Sequence, residues 1–189
     1  MGRWEPDSRG RLREAALALF AERGFDQTTA AEIAARAGVT ERTFFRLFAD
    51  KREVLFGGSE VLGERIVAAV AEAPDGHTPL GAVAYGLDAA AALLGEGRRD
   101  LSAQRHAVIA ANPELREREL AKLADYAAGV AATLRQRGVG EMQAILAAEA
   151  GMTVLRLAIE RWASGGDDRD LGTIMSDAVA ELRAVAAGR

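Results

Sequence analysis

The sequence contains no cysteine and only two histidines among its 189 residues. The absence of thiols excludes a disulfide framework, a thiolate metal site and a cysteine nucleophile. His77 lies in a stretch rich in glycine and proline, and His106 has no second ligand at a metal-binding spacing. Because a glycine-rich phosphate loop, a nucleophile elbow and an HExxH sequence are also missing, we predict no metal, no cofactor and no enzymatic activity.

Long apolar runs are missing as well. The first residues lack the apolar core of a signal peptide, and no apolar run approaches the ~18 residues of a membrane span. We therefore expect a cytoplasmic protein with no membrane partner. Hydrophobic residues make up 49% of the chain, which is typical of a globular protein with one substantial core or two small ones.

Apolar residues recur at helical spacing along the whole chain, and no strand pattern or internal repeat competes with them. The sequence therefore predicts an all-α fold, with a three-helix domain in residues 1–56 and a larger helical domain in residues 57–189. One helix from Lys51 to about Ala73 should link the two domains, although Gly57 and Gly58, at ~1 kcal/mol each, should loosen it locally.

The stretch from Thr29 to Phe56 carries the clearest local signals. Thr29 and Glu32 have the spacing of a capping box, so a helix should begin there. Gly38 should end that helix with a positive φ, and Thr40 should cap the next one. Two short helices joined by such a turn form the helix-turn-helix pattern, in which the second helix enters the DNA major groove.

The helix that follows Thr40 has two faces of different chemistry. Its inward face is apolar and consists of Phe44, Leu47 and Phe48. Its remaining face consists of Glu41, Arg42, Thr43, Phe45 and Arg46. Arginine can donate two hydrogen bonds to a guanine edge, and threonine can contact a base or a phosphate. Asp50 should cap the next helix and hold Lys51 near a phosphate. An ordinary helical corner, the alternative, gives an exposed Phe45 between arginines no evident role.

These residues resemble the DNA-binding domain of TetR-type transcriptional regulators, over residues 8–57. The shared pattern is Thr28-Thr29, Ile33-Ala34-x-x-Ala37-Gly38-Val39, Thr43-Phe44-Phe45-x-x-Phe48 and Asp50-Lys51-x-x-x-Leu55. Phe45 stands where most members have tyrosine. The resemblance implies a helix-turn-helix domain, a larger C-terminal ligand-binding and dimerisation domain, and DNA contacts by Thr28 or Thr29, Thr40, Arg42, Thr43, Phe45, Arg46 and Lys51.

The charge of the chain favours a dimer. Residues 1–56 carry ten Lys or Arg against nine Asp or Glu, and the rest carry fourteen against nineteen. So small an excess implies binding through individual placed contacts, which two copies would strengthen. A two-fold homodimer also matches a palindromic DNA operator. The last two helices carry a continuous apolar seam, which we predict to be the subunit interface: Met152, Leu155, Ile159, Ile174, Ala178 and Leu182.

If the resemblance extends beyond the first domain, the middle helices enclose a cavity for a small apolar effector that releases a repressor from its operator. The candidate lining residues are aromatic or polar: Tyr85, Arg105, His106, Tyr126, Met152 and Trp162. A plain role in the core or at the surface is the alternative for each. The segment that begins at Asn112-Pro113 weakly resembles the effector domains of regulators that sense acyl-CoA-like molecules.

Two other functional classes stay open at this point. A helical adaptor that binds only protein has no use for Arg42, Phe45 and Arg46 exposed together. A small enzyme needs reactive groups, but the carboxylates stand at helix caps or beside arginines on solvated faces, as Glu160 does four residues after Arg156. A gel shift on DNA separates a regulator from both alternatives.

Overall fold

The computed structural model describes residues 7–95, 99–165 and 167–188. Within these ranges the chain is helical and has no strand, which confirms the predicted all-α class. The helices are α1 (Ser8–Arg23), α2 (Ala30–Arg36), α3 (Glu41–Leu47), α4 (Glu53–Phe56), α5 (Ser59–Glu72), α6 (Pro79–Gly95), α7 (Arg99–Ala111), α8 (Pro113–Gln136), α9 (Glu141–Ala163) and α10 (Leu171–Ala186).

The chain divides into two compact units. Unit 1 comprises Met1–Gly58 and Gln104–Glu117, and unit 2 comprises Ser59–Ala103 and Arg118–Arg189. Unit 1 therefore includes a segment that the sequence assigned to the C-terminal domain. Arg105 fastens this segment to α4, because its Nε donates a hydrogen bond to the Leu55 carbonyl at 2.8 Å and its guanidinium lies over the Phe56 ring.

The local signals for the helices of unit 1 are confirmed. Thr29 and Glu32 form the predicted capping box, in which each backbone N–H donates to the side chain of the other, at 2.9 Å and 3.2 Å. Gly38 has a φ of 69° after the end of α2. Thr40 Oγ1 accepts from the Thr43 N–H at 3.2 Å, and Asp50 Oδ1 accepts from the Glu53 N–H at 2.9 Å.

The predicted single helix from Lys51 to Ala73 is wrong. Helix α4 ends at Phe56 and α5 begins at Ser59, with Gly58 at a φ of 96° between them. Two adjacent glycines weaken a helix at the same place, and the left-handed conformation of Gly58 is open to glycine at little steric cost. The Arg13 side chain donates to the Gly57 carbonyl at 2.9 Å, and this bond replaces one that a continuous helix would have supplied.

The core of unit 1 is built around phenylalanine rings. The Phe44 side chain is fully buried, and its ring centroid lies 5.7 Å from that of Phe48 and 5.3 Å from that of Phe45. The Phe20 and Phe25 rings form a second pair at 5.1 Å. Aromatic pairs at such distances add to the free energy gained by burying their area.

The core of unit 2 is formed by α5, α6, α8, α9 and α10 and contains many alanines. Two glycines mark where helices approach most closely. A Cβ added at Gly86 would lie 3.1 Å from the Ile66 carbonyl oxygen, and one added at Gly151 would lie 2.2 Å from Val83 Cγ1. These helices therefore pack backbone against side chain.

Three of the six residues predicted at the subunit interface lie in the core of unit 2. Met152, Leu155 and Ile174 are each at most 3% exposed and belong to the core of unit 2. Their apolar periodicity reports burial within their own subunit. Ile159, Ala178 and Leu182 pack against that core and are half-buried.

Helix α9 is long and apolar enough to cross a membrane, by length and composition alone. Charged residues such as Glu149 and Arg156 interrupt this helix, so it is not the continuous apolar run that the sequence expectation concerned. Its buried residues include Ala144, Ala148, Met152 and Leu155, which belong to the core of unit 2. The core helix of a globular protein passes the same test, so this finding is weak evidence for a membrane span.

Candidate nucleic-acid interface

Helix α3 presents a polar face with one aromatic ring. Burial of Phe44 fixes the rotation of the helix, and the opposite face then carries the predicted set of exposed side chains: Glu41, Arg42, Phe45 and Arg46. Phe45 is 53% exposed although it is large and apolar. The cap at Thr40 and the end of the helix at Phe48 make α3 short, so all of these side chains lie within two turns.

The arginines of unit 1 differ in whether they have a partner. Arg36 donates two hydrogen bonds to Glu22, at 2.6 and 2.7 Å, and Arg23 pairs with Glu32 at 2.9 Å. The hydrogen bonds from Arg36 lower the pKa of the Glu22 carboxyl. Arg42 and Arg46, in contrast, form no ion pair and no side-chain hydrogen bond within the described ranges, so their donors are available to a ligand.

The two threonines before α2 have different environments. Thr28 is 1% exposed, and its hydroxyl donates to the Gly24 carbonyl at 2.9 Å. Its predicted contact with DNA is therefore ruled out by burial. Thr29 is exposed at the start of α2, as predicted for a contact residue. Thr40 and Thr43 lie at the start of α3, with their hydroxyl oxygens 3.0 Å apart.

Lys51 has partners within the fold, and its predicted role as a phosphate contact stays a prediction. Its Nζ donates to the carbonyls of Phe25, Asp26 and Thr28 at 2.9, 3.3 and 3.2 Å, and it lies 4.3 Å from the Phe25 ring centroid. An ammonium has three donors, and all three are used. The residue therefore secures the loop between α1 and α2.

Sequence reasoning missed two arginines of α1 that hold this region together. The Arg9 guanidinium lies 5.5 Å from the Phe48 ring centroid, where α3 ends, and Arg13 holds the Gly57 carbonyl. No local signal identifies either of them, because their partners are 39 and 44 residues further along the chain.

The six candidate effector residues are divided between the two units, and their role in one site stays a prediction. Arg105 and His106 belong to unit 1, and the other four belong to unit 2. Met152 and Trp162 are buried in the core of unit 2, and Tyr85 is exposed on α6. The Tyr126 hydroxyl donates to the Ser59 carbonyl at 2.6 Å, so this residue anchors the start of α5.

Residues 12–56 match the family model described as bacterial regulatory proteins of the tetR family. The matched range covers most of α1 and all of α2, α3 and α4. The chain is also 34% identical over 119 residues to the HTH-type transcriptional regulator TcmR of Streptomyces glaucescens. Residues 12–56 therefore carry a DNA-binding domain of the tetR-family type. Both matches support the expectation that the chain is not an enzyme.

The match to TcmR covers 63% of this chain and 52% of TcmR, so the chain spans about half of that protein's length. Solved structures share the fold along most of the chain. The SmeT–triclosan complex has a TM-score of 0.63 at 20% identity, with 95% of this chain and 90% of that chain covered. FadR of Thermus thermophilus in complex with lauroyl-CoA has a TM-score of 0.52 at 28% identity, with 94% and 93% covered.

Proposed function

We propose that the chain is a ligand-responsive transcriptional repressor that acts in the cytoplasm and binds a palindromic DNA operator as a homodimer. The observation that carries this proposal is the exposed face of α3, where two arginines without a partner among the described residues flank an exposed phenylalanine. Placed in a major groove, this face presents base-reading donors together with an apolar ring. The modest excess of positive charge in residues 1–56 is typical of binding through individual contacts.

The proposed DNA contacts follow from the position of the side chains at α3 and at the start of α2 and, for the two arginines, from free donors. Arg42 and Arg46 supply bidentate donors for guanine, and Phe45 supplies an apolar contact for a thymine methyl group or a sugar. The threonine hydroxyls at the starts of α2 and α3 supply phosphate contacts, which position the protein. The set is Thr29, Thr40, Arg42, Thr43, Phe45 and Arg46.

A test operator can be obtained by selecting, from a pool of random DNA duplexes, those that the wild-type protein binds. We expect Arg46→Ala to weaken binding to the selected site by ~1–3 kcal/mol and to relax the base preference at one position. Arg135→Ala is the control, because Arg135 is exposed on α8 in unit 2, and it should leave the affinity for the selected site unchanged. Unchanged affinity in both Arg42→Ala and Arg46→Ala would mean that α3 is not the reading helix.

The proposed dimer uses the solvent face of α9 in place of the seam that unit 2 buries. Large apolar side chains are exposed there at helical spacing, and α10 adds one more: Met142, Ile145, Leu146, Leu157 and Val185. Contiguous exposed apolar residues are typical of protein–protein interfaces. A second copy of the same face covers them and supplies the two-fold axis of a palindromic site.

Leu146 is 61% exposed, so Leu146→Glu leaves the core of unit 2 intact while placing a carboxylate in the proposed interface. We expect this variant to be a folded monomer by light scattering and circular dichroism, with weakened operator binding. The matched control is Leu93→Glu on α6, which should remain a dimer. A dimeric Leu146→Glu variant would place the interface elsewhere.

The effector is proposed to be a small, mostly apolar molecule that binds unit 2. The support is the similarity in fold to two solved complexes, SmeT with triclosan and a FadR with lauroyl-CoA. Release requires reciprocity, so the operator must weaken effector binding by the factor by which the effector weakens operator binding. Titration of lauroyl-CoA with and without the selected operator tests this, and equal affinities contradict a release mechanism for that compound.

A further inference from the structure

A depression of about 370 Å³ opens on the surface of unit 2, beside the loop that follows α5. One wall is the face of α6 that carries Gly81, Ala84, Tyr85 and Asp88, and α10 contributes Arg183. Gly81 and Ala84 are small, which leaves room between the larger side chains around them. The volume is at the lower end of the range for small-molecule sites.

Asp88 and Arg183 carry opposite charges into this depression without pairing. Neither side chain forms an ion pair or a hydrogen bond with any part of the chain that the structure describes. Elsewhere in unit 2 such groups do pair, since Asp167 binds both Arg161 and Arg169. Desolvation raises the pKa of the Asp88 carboxyl, so its charged form lacks a compensating partner.

Two further features limit what fits between these charges. Tyr85 is 43% exposed and offers a ring face to the ligand. The start of α6 has little to offer an anion, because Pro79 has no N–H and the N–H groups of Gly81 and Ala82 are bonded to Thr78 at 3.1 and 3.0 Å. Arg183 therefore supplies the guanidinium donors for an anion, and the His77 imidazole also lines the depression.

We propose that this depression binds a small zwitterion of the amino-acid class, with the ammonium at Asp88, the carboxylate at Arg183 and the side chain against Tyr85. One charge of each sign, held apart, favours a ligand that carries one of each. This site is separate from the apolar effector proposed above, and it does not depend on DNA binding by the chain.

The probe is L-phenylalanine, observed by 15N NMR on the full-length protein. We expect shifts of the amide signals of residues 76–88 and 183. Phenethylamine lacks the carboxylate and N-acetyl-L-phenylalanine lacks the ammonium, so each should bind about tenfold more weakly or worse, the effect of losing one charge-assisted hydrogen bond. Asp88→Asn and Arg183→Gln should each weaken the binding of L-phenylalanine by a similar factor.

Control variants separate the site from general charge effects. Glu181→Gln lies on another face of α10 and Arg135→Gln lies on α8, so both should bind L-phenylalanine as the wild type does. Ala84→Phe should fill the depression and abolish binding while the melting temperature stays near the wild-type value.

Two results would overturn the proposal. One is the absence of shifts with L-phenylalanine, L-leucine and L-histidine at concentrations about tenfold above a Kd of about 1 mM. The other is binding that persists in both Asp88→Asn and Arg183→Gln. Neither result affects operator binding by α3, so this proposal and the proposed function fail independently.

Discussion

The helices of the two units pack in different ways. All six phenylalanines of the chain lie between Phe20 and Phe56, and five of them are buried in unit 1. The core of unit 2 is rich in alanine, and its closest helix contacts occur at Gly86 and Gly151. Unit 1 fills space with rings, and unit 2 packs glycine backbone against the side chains of neighbouring helices.

Helix length explains the difference. Helices α2 and α3 have seven residues each, so each offers few positions from which to bury apolar area. A phenylalanine ring buries 150–250 Å² from one position, at roughly 25 cal/mol per Å². Helix α9 has 23 residues and can collect many small contacts along its length. Unit 1 should therefore be sensitive to loss of volume, and unit 2 to its addition.

The largest expected effect is the loss of a ring from unit 1. Phe44→Ala removes a fully buried ring between two others and should lower the free energy of unfolding by ~3–5 kcal/mol. Phe45→Ala, one position away and half exposed, is the matched control and should cost less than ~1 kcal/mol. Denaturant unfolding followed by circular dichroism measures both. Equal losses of unfolding free energy in the two variants would show that the buried ring of Phe44 does not stabilise unit 1 more than the exposed ring of Phe45.

The opposite change should destabilise unit 2. Gly151→Ala places a Cβ 2.2 Å from Val83 Cγ1, a distance that forces a shift, and overpacking of this kind costs ~1–3 kcal/mol. Gly95→Ala is the control, because its Cβ meets nothing within 4 Å. Adding Val83→Ala to Gly151→Ala should recover part of the loss. A stabilised Gly151→Ala variant would show that the contact between α6 and α9 yields easily.

The smallest effect concerns a device that both units share. The hydrogen bond from the Thr29 backbone N–H lowers the pKa of Glu32, and bonds from Thr173 lower the pKa of Asp170. A carboxyl whose folded pKa is depressed contributes stability above its unfolded pKa and loses it as the pH falls through the folded value. Both units should therefore lose a little stability on acidification, seen as a lower melting temperature.

Glu32→Gln isolates the contribution of the capping box in unit 1, because the amide keeps an acceptor that does not titrate. The difference in melting temperature between wild type and variant should shrink as the pH falls below the range in which glutamate ionises. A difference that is independent of pH would mean that charge plays no part in this cap.

Signals that act within a few residues could be predicted from the sequence. The caps at Thr29, Thr40 and Asp50 and the turn at Gly38 depend on neighbours three or four residues away, so they are visible in one stretch of chain. The two glycines at 57 and 58 were also visible, but their effect was underestimated, because the side chain that holds the broken end, Arg13, lies 44 residues earlier.

Signals that depend on a distant partner were ambiguous. Periodicity marked Met152, Leu155 and Ile174 as one apolar face, but it does not tell whether the same subunit or another covers that face. Lys51 has donors that suit a phosphate and a carbonyl equally well, and only the folded loop shows which they meet. The effector residues were chosen by chemistry alone, and they are divided between the two units.

The hydrogen bonds of Lys51 also make its rate of acylation a measure of local opening. The chain has only two lysines, Lys51 and Lys122. An acylating reagent must approach Nζ, and at Lys51 this atom is enclosed by three carbonyl oxygens and the Phe25 ring. These hydrogen bonds should therefore slow modification at Lys51, and mass spectrometry of the labelled peptide over time would measure how often they break.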